Sequence, residues 1–287
     1  TDLVAGGAGL GDRSLAIPEA GNGVSDALDE ARWELDWMLK MIVPPGQPLA
    51  GMLHHKLSDD QWTGIPTLPA DDPRPRELHP PTTTATLDFA AVAAMASRLY
   101  APGDAAYAAT LLAAARTAYD AAKRNPDRYA TGGGYDDRDA RDEFFWAAAE
   151  LYLTTGDASY RADLEASPGW NADLYMQDGF SWQQVAPFAA LELSRHADRL
   201  DAAAAAHWRA ALQAGADKLL ALQQAEPFGL AYTPVDGTYA WGSNAQILAN
   251  AQVLATAADI LGTAAYRSAA IESMDYLLGR NGIGQSY

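Results

Sequence analysis

The sequence contains no cysteine. That excludes disulfides, thiolate zinc sites and cysteine nucleophiles. It leaves the compartment open, because secreted chains can also lack cysteine. Basic residues are scarce: 20 Lys and Arg stand against 37 Asp and Glu, for a net charge of -17. A surface this acidic repels phosphate backbones, so a nucleic-acid partner is not expected. No apolar run reaches the ~18–20 residues of a membrane span, so no membrane partner is expected either. An initiator Met and a signal peptide are also missing. The chain opens Thr1-Asp2-Leu3 in a Gly-rich stretch and reads as a processed, trimmed or excerpted piece. No Ser sits in a Gly-x-Ser-x-Gly elbow, no His-Glu-x-x-His occurs, and no Gly-rich loop follows a strand.

What the chain has in abundance is alanine, 61 of its 287 residues. Alanine is the strongest helix former, which favours a mainly helical protein. Helical spacing dominates, with predicted segments at 25–42, 83–100, 104–124, 141–154, 158–166, 182–199, 201–223, 243–261 and 264–279. In the first, Leu28, Arg32, Leu35, Leu39 and Ile42 step by three and four, and Asp29, Glu30 and Asp36 avoid that stripe. Asn22 or Ser25 is placed to cap its start, and Pro44-Pro45 stops it. No run alternates with period two for long, so any strands are short.

A repeat runs through the chain. Leu99 to Tyr107, Leu153 to Tyr160 and Leu261 to Tyr266 share a Leu, a Gly turn and a following Tyr. The turn glycines are Gly103, Gly156 and Gly262, spaced by one and two periods of 53 residues. A degraded fourth copy falls near Arg199-Leu200-Asp201. Each unit reads as helix, Gly turn with a left-handed cap, helix and long loop. The alternative is chance likeness of short Gly turns. The long connections 44–82, 125–141, 167–181 and 224–242 hold Trp62, Tyr135, Trp170, Tyr175, Phe180, Phe228, Tyr232 and Tyr239, with Trp182 and Trp241 at or beside their ends. Long aromatic loops gathered on one end of a helical scaffold look like a binding face.

Three clusters carry polar chemistry. The stretch from Gly132 to Glu143 sets five carboxylates in eight residues after three glycines. It reads either as charge capping of a helix N-terminus or as a calcium site, with Asp136, Asp139, Asp142 and Glu143 as ligands. His54-His55-Lys56, with Trp62 downstream, reads as a polar loop pair or as donors to a polyhydroxylated ligand. Tyr239-Ala240-Trp241-Gly242-Ser243-Asn244 opens a helix that Ser243 or Asn244 is placed to cap. Trp241 there is either a core plug or a face that stacks on a sugar ring. Phe144, Phe145 and Trp146, inside a helix, read as core.

Several stretches, in order, resemble glycoside hydrolase family 9. They are Ile17 to Glu34, Arg76 to Thr86, Tyr135 to Gly156, Trp241 to Asn244, and Asp275 to Asn281. The likeness covers essentially the whole chain. It implies a mainly α fold, an (α/α)6 barrel, with residues 1–287 as one partial catalytic domain whose first and last helices are missing here. It implies a secreted inverting endo-β-1,4-glucanase, expected to act as a monomer on β-glucan, with structural calcium and no organic cofactor. His54, His55, Tyr135, Trp182, Tyr239 and Trp241 are the expected sugar contacts. The family's catalytic base lies in an Asp-Ala-Gly-Asp motif, and nothing of that kind precedes Ile17. Its acid, a Glu, lies beyond the last helix seen here, so no catalytic residue is expected on this chain. Ser181-Trp182-Gln183-Gln184 departs from relatives that carry acids after the Trp. The rivals are an exo-acting glycosidase or glucosaminidase of the same fold, and a non-catalytic carbohydrate-binding or scaffold protein.

Overall fold

The computed structural model describes residues 10–131 and 134–287. The chain's Gly-rich opening and two of the three glycines before Tyr135, Gly132 and Gly133, lie outside the described residues. Among those described there are nine α-helices and one two-stranded hairpin. The chain divides into two compact units, one running to Ala140 and the other from Arg141 to Tyr287.

The first unit holds α1 (Asp26–Lys40), β1 (Leu57–Asp59), β2 (Arg76–Leu78), α2 (Thr83–Tyr100) and α3 (Ala105–Arg124). Ser25 takes the cap position of α1, as the sequence allows, but its side chain makes no capping bond. The Ser25 hydroxyl is spent on the Leu10 carbonyl, and Asn22 accepts from Val24 N. Asp26, fully buried at the helix start, accepts instead from the backbone N–H groups of Arg13 and Leu15, pinning the preceding segment. α2 and α3 pack as an antiparallel pair. Both helices bury alanines with no exposure at all, among them Ala90, Ala94, Ala115 and Ala122. Alanine faces let two backbones approach closely without loss of rotamer freedom.

Four threonines organise the start of α2. Thr82 caps it at Ala85 N, Thr83 donates to the Asn125 carbonyl and accepts from Arg128 N, and Thr86 accepts from Leu53 N. Thr84 is buried beside them. The ends of the loops 44–82 and 125–141 are thereby tied to one helix start. β1 pairs antiparallel with β2, Leu57 opposite Leu78 and Asp59 opposite Arg76. Strands are short, as the sequence implies.

The second unit contains α4 (Arg141–Thr155), α5 (Ala158–Ala166), α6 (Ala186–Arg195), α7 (Ala202–Ala225), α8 (Ser243–Leu261) and α9 (Ala264–Leu277). α4 packs on α6 and α6 on α8, while α5, α7 and α9 pair with their sequence neighbours. Phe145 and Trp146 are buried, as expected of core residues, whereas Phe144 is only half-buried. α6 is shorter than the predicted 182–199. It begins at Ala186, where Pro187 suits a first turn, and a 3-10 turn at Ala197–Arg199 follows it.

The repeat is visible as helical pairs. Asp104, Asp157 and Asp201 cap the second helix of successive pairs, accepting from Tyr107 N, Ser159 N and Ala204 N. Ser97 donates to the Ala108 carbonyl and Ser194 to the Trp208 carbonyl, the same stitch in two pairs. The glycines differ, however. Gly156 and Gly262 are left-handed at φ 70° and 73°, whereas Gly103 is not, and α2 ends instead on Ala101 with right-handed geometry.

Candidate functional site

In the first unit the hairpin forms one wall of a cleft of about 510 Å3. Lys56, Ser58, Asp59, Trp62, Arg76, Glu77, His79 and Tyr135 line it. Charge pairing and hydrogen bonds tie its lining together. Arg76 lies 2.9 Å from Asp59, and Thr63 Oγ1 lies 3.0 Å and 3.1 Å from the Asp59 and Asp72 carboxylates. Trp62 and Tyr135 stand exposed at the rim, and Tyr135 takes a left-handed backbone at φ 61°.

The two adjacent histidines do different things. His54 Nδ1 lies 2.8 Å from the His79 carbonyl, so its ring is oriented by backbone. His79 in turn lies 2.9 Å from Ser58 Oγ through Nε2. His55 lies 3.4 Å from Thr82 Oγ1 through Nδ1. Burial, aided by Lys56, pushes the His55 pKa below the ordinary histidine value, while the Gly134 carbonyl and Asp136 oppose that shift. Burial thus favours the uncharged imidazole, whose Nε2 is itself enclosed by protein.

In the second unit, Trp241 is 97% exposed, which removes the core-plug reading. Neither Ser243 nor Asn244 caps α8. The cap position is Gly242, left-handed at φ 81°, and its carbonyl accepts from Ala245 N. Tyr239 and Trp182 are also exposed. Tyr239 leans on the buried Tyr232 ring, with centroids 5.6 Å apart. Not every loop aromatic belongs to a binding face: Tyr175, Phe180 and Tyr232 are core. Gly215 explains one of these, since a Cβ there would lie 2.3 Å from the Tyr175 ring.

The carboxylates of 136–143 are already engaged in part. Asp137 accepts from Asp139 N at 3.0 Å, and Asp142 accepts from Val185 N at 2.7 Å, holding the start of α6. Asp142 and Glu143 lie in the first turn of α4, where negative charge favours the helix dipole. Among the described residues no three His, Asp or Glu side chains gather closely enough to hold a metal ion.

Sequence reasoning missed the hairpin wall, His79, Ser58, Asp59 and Arg76, although His54-His55-Lys56 and Trp62 bracket part of it. It also missed the polar residues of α8 that hold the aromatic loops, Gln246 and Asn250, which carry no local signature.

The profile described as glycosyl hydrolase family 9 matches residues 10–287. Endoglucanase C of Cellulomonas fimi is 48% identical over 285 residues, covering 97% of this chain and 26% of that protein. A cellulose 1,4-beta-cellobiosidase of Acetivibrio thermocellus is 37% identical, covering 96% of this chain and 34% of that one. A crystal structure of a metagenome-derived glycoside hydrolase family 9 endoglucanase superposes with a TM-score of 0.86 at 33% identity, over 97% of this chain and 50% of the other. The chain thus spans a quarter to a half of these relatives' length. No helix among the described residues is long and apolar enough to cross a membrane.

Proposed function

The chain belongs to glycosyl hydrolase family 9, and from that premise we propose that the protein hydrolyses β-1,4-glucan with inversion. In such a reaction one carboxylate activates water on one face of the sugar ring. A carboxylic acid, about 6.5–9.5 Å away, protonates the leaving oxygen on the other. Neither group is assigned to a residue of this chain. What these residues contribute is substrate holding. Trp241, Tyr239 and Trp182 offer exposed rings for the apolar faces of glucosyl units. Tyr135 and Trp62 do the same at the hairpin cleft, where Lys56, Ser58 and His79 supply hydrogen-bonding groups; His54 and His55 precede Lys56 in the chain and are not among the residues lining that cleft.

The observation that carries this reading is the near-complete exposure of Trp241 at a loop end, in a chain with that family membership. The same reading makes the protein secreted and monomeric. Calcium stands in it as a structural ion of the loop 134–143, supported by carboxylate density alone.

Reducing-sugar release from carboxymethylcellulose by the gene product tests the proposal. No release from any soluble glucan would leave a non-catalytic carbohydrate-binding protein. Exo action stands as the second reading, since one relative is named a cellobiosidase. Product lengths decide between them: mixed oligosaccharides mean endo cleavage, and uniform short products mean exo.

A further inference from the structure

One face of α8 holds two loops at once. Asn250, with no solvent exposure, sits a single turn after Gln246 on that face. Its side-chain amide donates to the Gln177 carbonyl at 3.1 Å and to the Ala231 carbonyl at 2.8 Å. An amide NH2 has two hydrogens, and here each goes to a different loop. The Gln177 carbonyl also accepts from Thr233 N at 3.0 Å, so the loops are bonded to each other as well as to the helix.

Gln246 repeats the arrangement. Its Oε1 accepts from the Tyr232 hydroxyl at 3.2 Å, and its backbone oxygen lies 2.5 Å from where a Cβ on Gly179 would sit. Gly179, left-handed at φ 71°, is what allows the 172–181 segment to lie this close to the helix. From these anchors the chain leads outward. Tyr232 supports the exposed Tyr239 in one loop, and Trp182 follows directly after the other.

We propose that Asn250 is a positioning residue for glucan binding, coupling the loops 172–181 and 229–242 so that their aromatic faces move as one rigid jaw. The inference rests on the reading that these loops bind glucan. A carbonyl-facing amide suits the task. The bond to Ala231 is buried and the bond to Gln177 partly so, so breaking either costs a shielded hydrogen bond, and the loops cannot separate one at a time without that loss. Aspartate in the same place would turn carboxylate oxygens toward two carbonyls.

The test uses Asn250→Ala and, reaching the same loop from the other side, Gly179→Ala. Cellohexaose affinity is measured by calorimetry, and loop opening by hydrogen exchange over 172–181 and 229–242. A double-mutant cycle between Trp182→Ala and Trp241→Ala is run with and without Asn250→Ala. The expected result is faster exchange in both loops together and a roughly tenfold weaker affinity. The coupling between the two tryptophans, present with Asn250, should vanish without it. A purely structural asparagine would lower the melting temperature and leave that coupling intact, which overturns the proposal. Faster exchange in one loop only overturns it too. If Asn250→Ala does not fold, Gly179→Ala carries the same expectations, because its Cβ meets the Gln246 backbone and pushes the Gln177 carbonyl away from the Asn250 amide. Should Trp241→Ala alone leave affinity unchanged, the glucan reading fails, and the exchange data still judge the coupling of the loops.

Discussion

Arg32 donates to Oδ2 of Asp104 at 3.0 Å while Oδ1 of the same carboxylate accepts from Tyr107 N at 2.9 Å, so one side chain caps α3 and ties it to α1. The Arg32 guanidinium also lies 4.0 Å from the Tyr107 ring centroid, and the Tyr107 hydroxyl donates to Asp36 at 2.8 Å. The second unit repeats the device. Arg161 pairs with Asp201, and Asp201 caps α7 at Ala204 N. An arginine from a preceding helix thus locks the cap of a later one.

These caps predict a pH dependence. The Tyr107 N–H and then Arg32 hold the Asp104 carboxyl below its ordinary value, and the Ala204 N–H and then Arg161 do the same for Asp201. A depressed folded-state pKa contributes stability that is present above the unfolded value, about 3.9, and is lost as pH falls through the folded one. The melting temperature should therefore fall as pH drops below about 4. Asp104→Ala should lower it by roughly 2–4 °C at pH 7 and flatten its decline in acid. A variant whose acid profile parallels the parent's would refute the assignment.

Trp241→Ala should weaken cello-oligosaccharide binding about tenfold, since one aromatic stacking face is worth ~1–3 kcal/mol and a sugar face lies at the lower end. The melting temperature should barely move, because the ring has almost no buried area to lose. A large melting shift with unchanged affinity would contradict the stacking role.

The turn glycines should separate by conformation. Gly262→Ala forces a side chain into φ 73° and should cost about 1–2 kcal/mol, although nothing lies within 4 Å of the new Cβ. Gly103→Ala, with open space and no left-handed backbone, should be neutral or slightly stabilising. Gly215→Ala should be harmful for a different reason, because its Cβ meets the Tyr175 ring and overpacking costs about 1–3 kcal/mol. Chemical denaturation of the three variants gives the order.

For the loop 134–143, added calcium should raise the melting temperature and a chelator should lower it, since an ion bound only by the folded state stabilises by mass action. No change with either would leave these acids as charges at the start of α4.

Helices with plain borders were legible. The spans 83–100, 158–166 and 243–261 match the structure residue for residue, because a Thr or Asp cap or a Gly boundary sits at their ends. The start of α6 was not, because Trp182 to Val185 continue an apolar and neutral pattern that only the Pro187 turn and the bond from Val185 N to Asp142 interrupt. Gly103 looked like its repeat partners, yet its backbone follows from how α2 ends rather than from residue type. At the candidate site, exposed rings such as Trp241 announced themselves through composition and loop position. Asn250 did not, because its meaning lies in two carbonyls 73 and 19 residues away. Long-range hydrogen bonds of that kind leave no local periodicity to read.

The short turns within the helical pairs have a consequence for biosynthesis. α2 and α3 are separated by Ala101–Asp104, α4 and α5 by Gly156-Asp157, and α8 and α9 by Gly262-Thr263. The partners in each pair are thus close in sequence, and contacts of low sequence separation form fast. At translation rates of about 5–20 residues per second, each pair can close before the next has left the ribosome. The nascent chain need never expose more than one unpaired alanine-rich helix at a time.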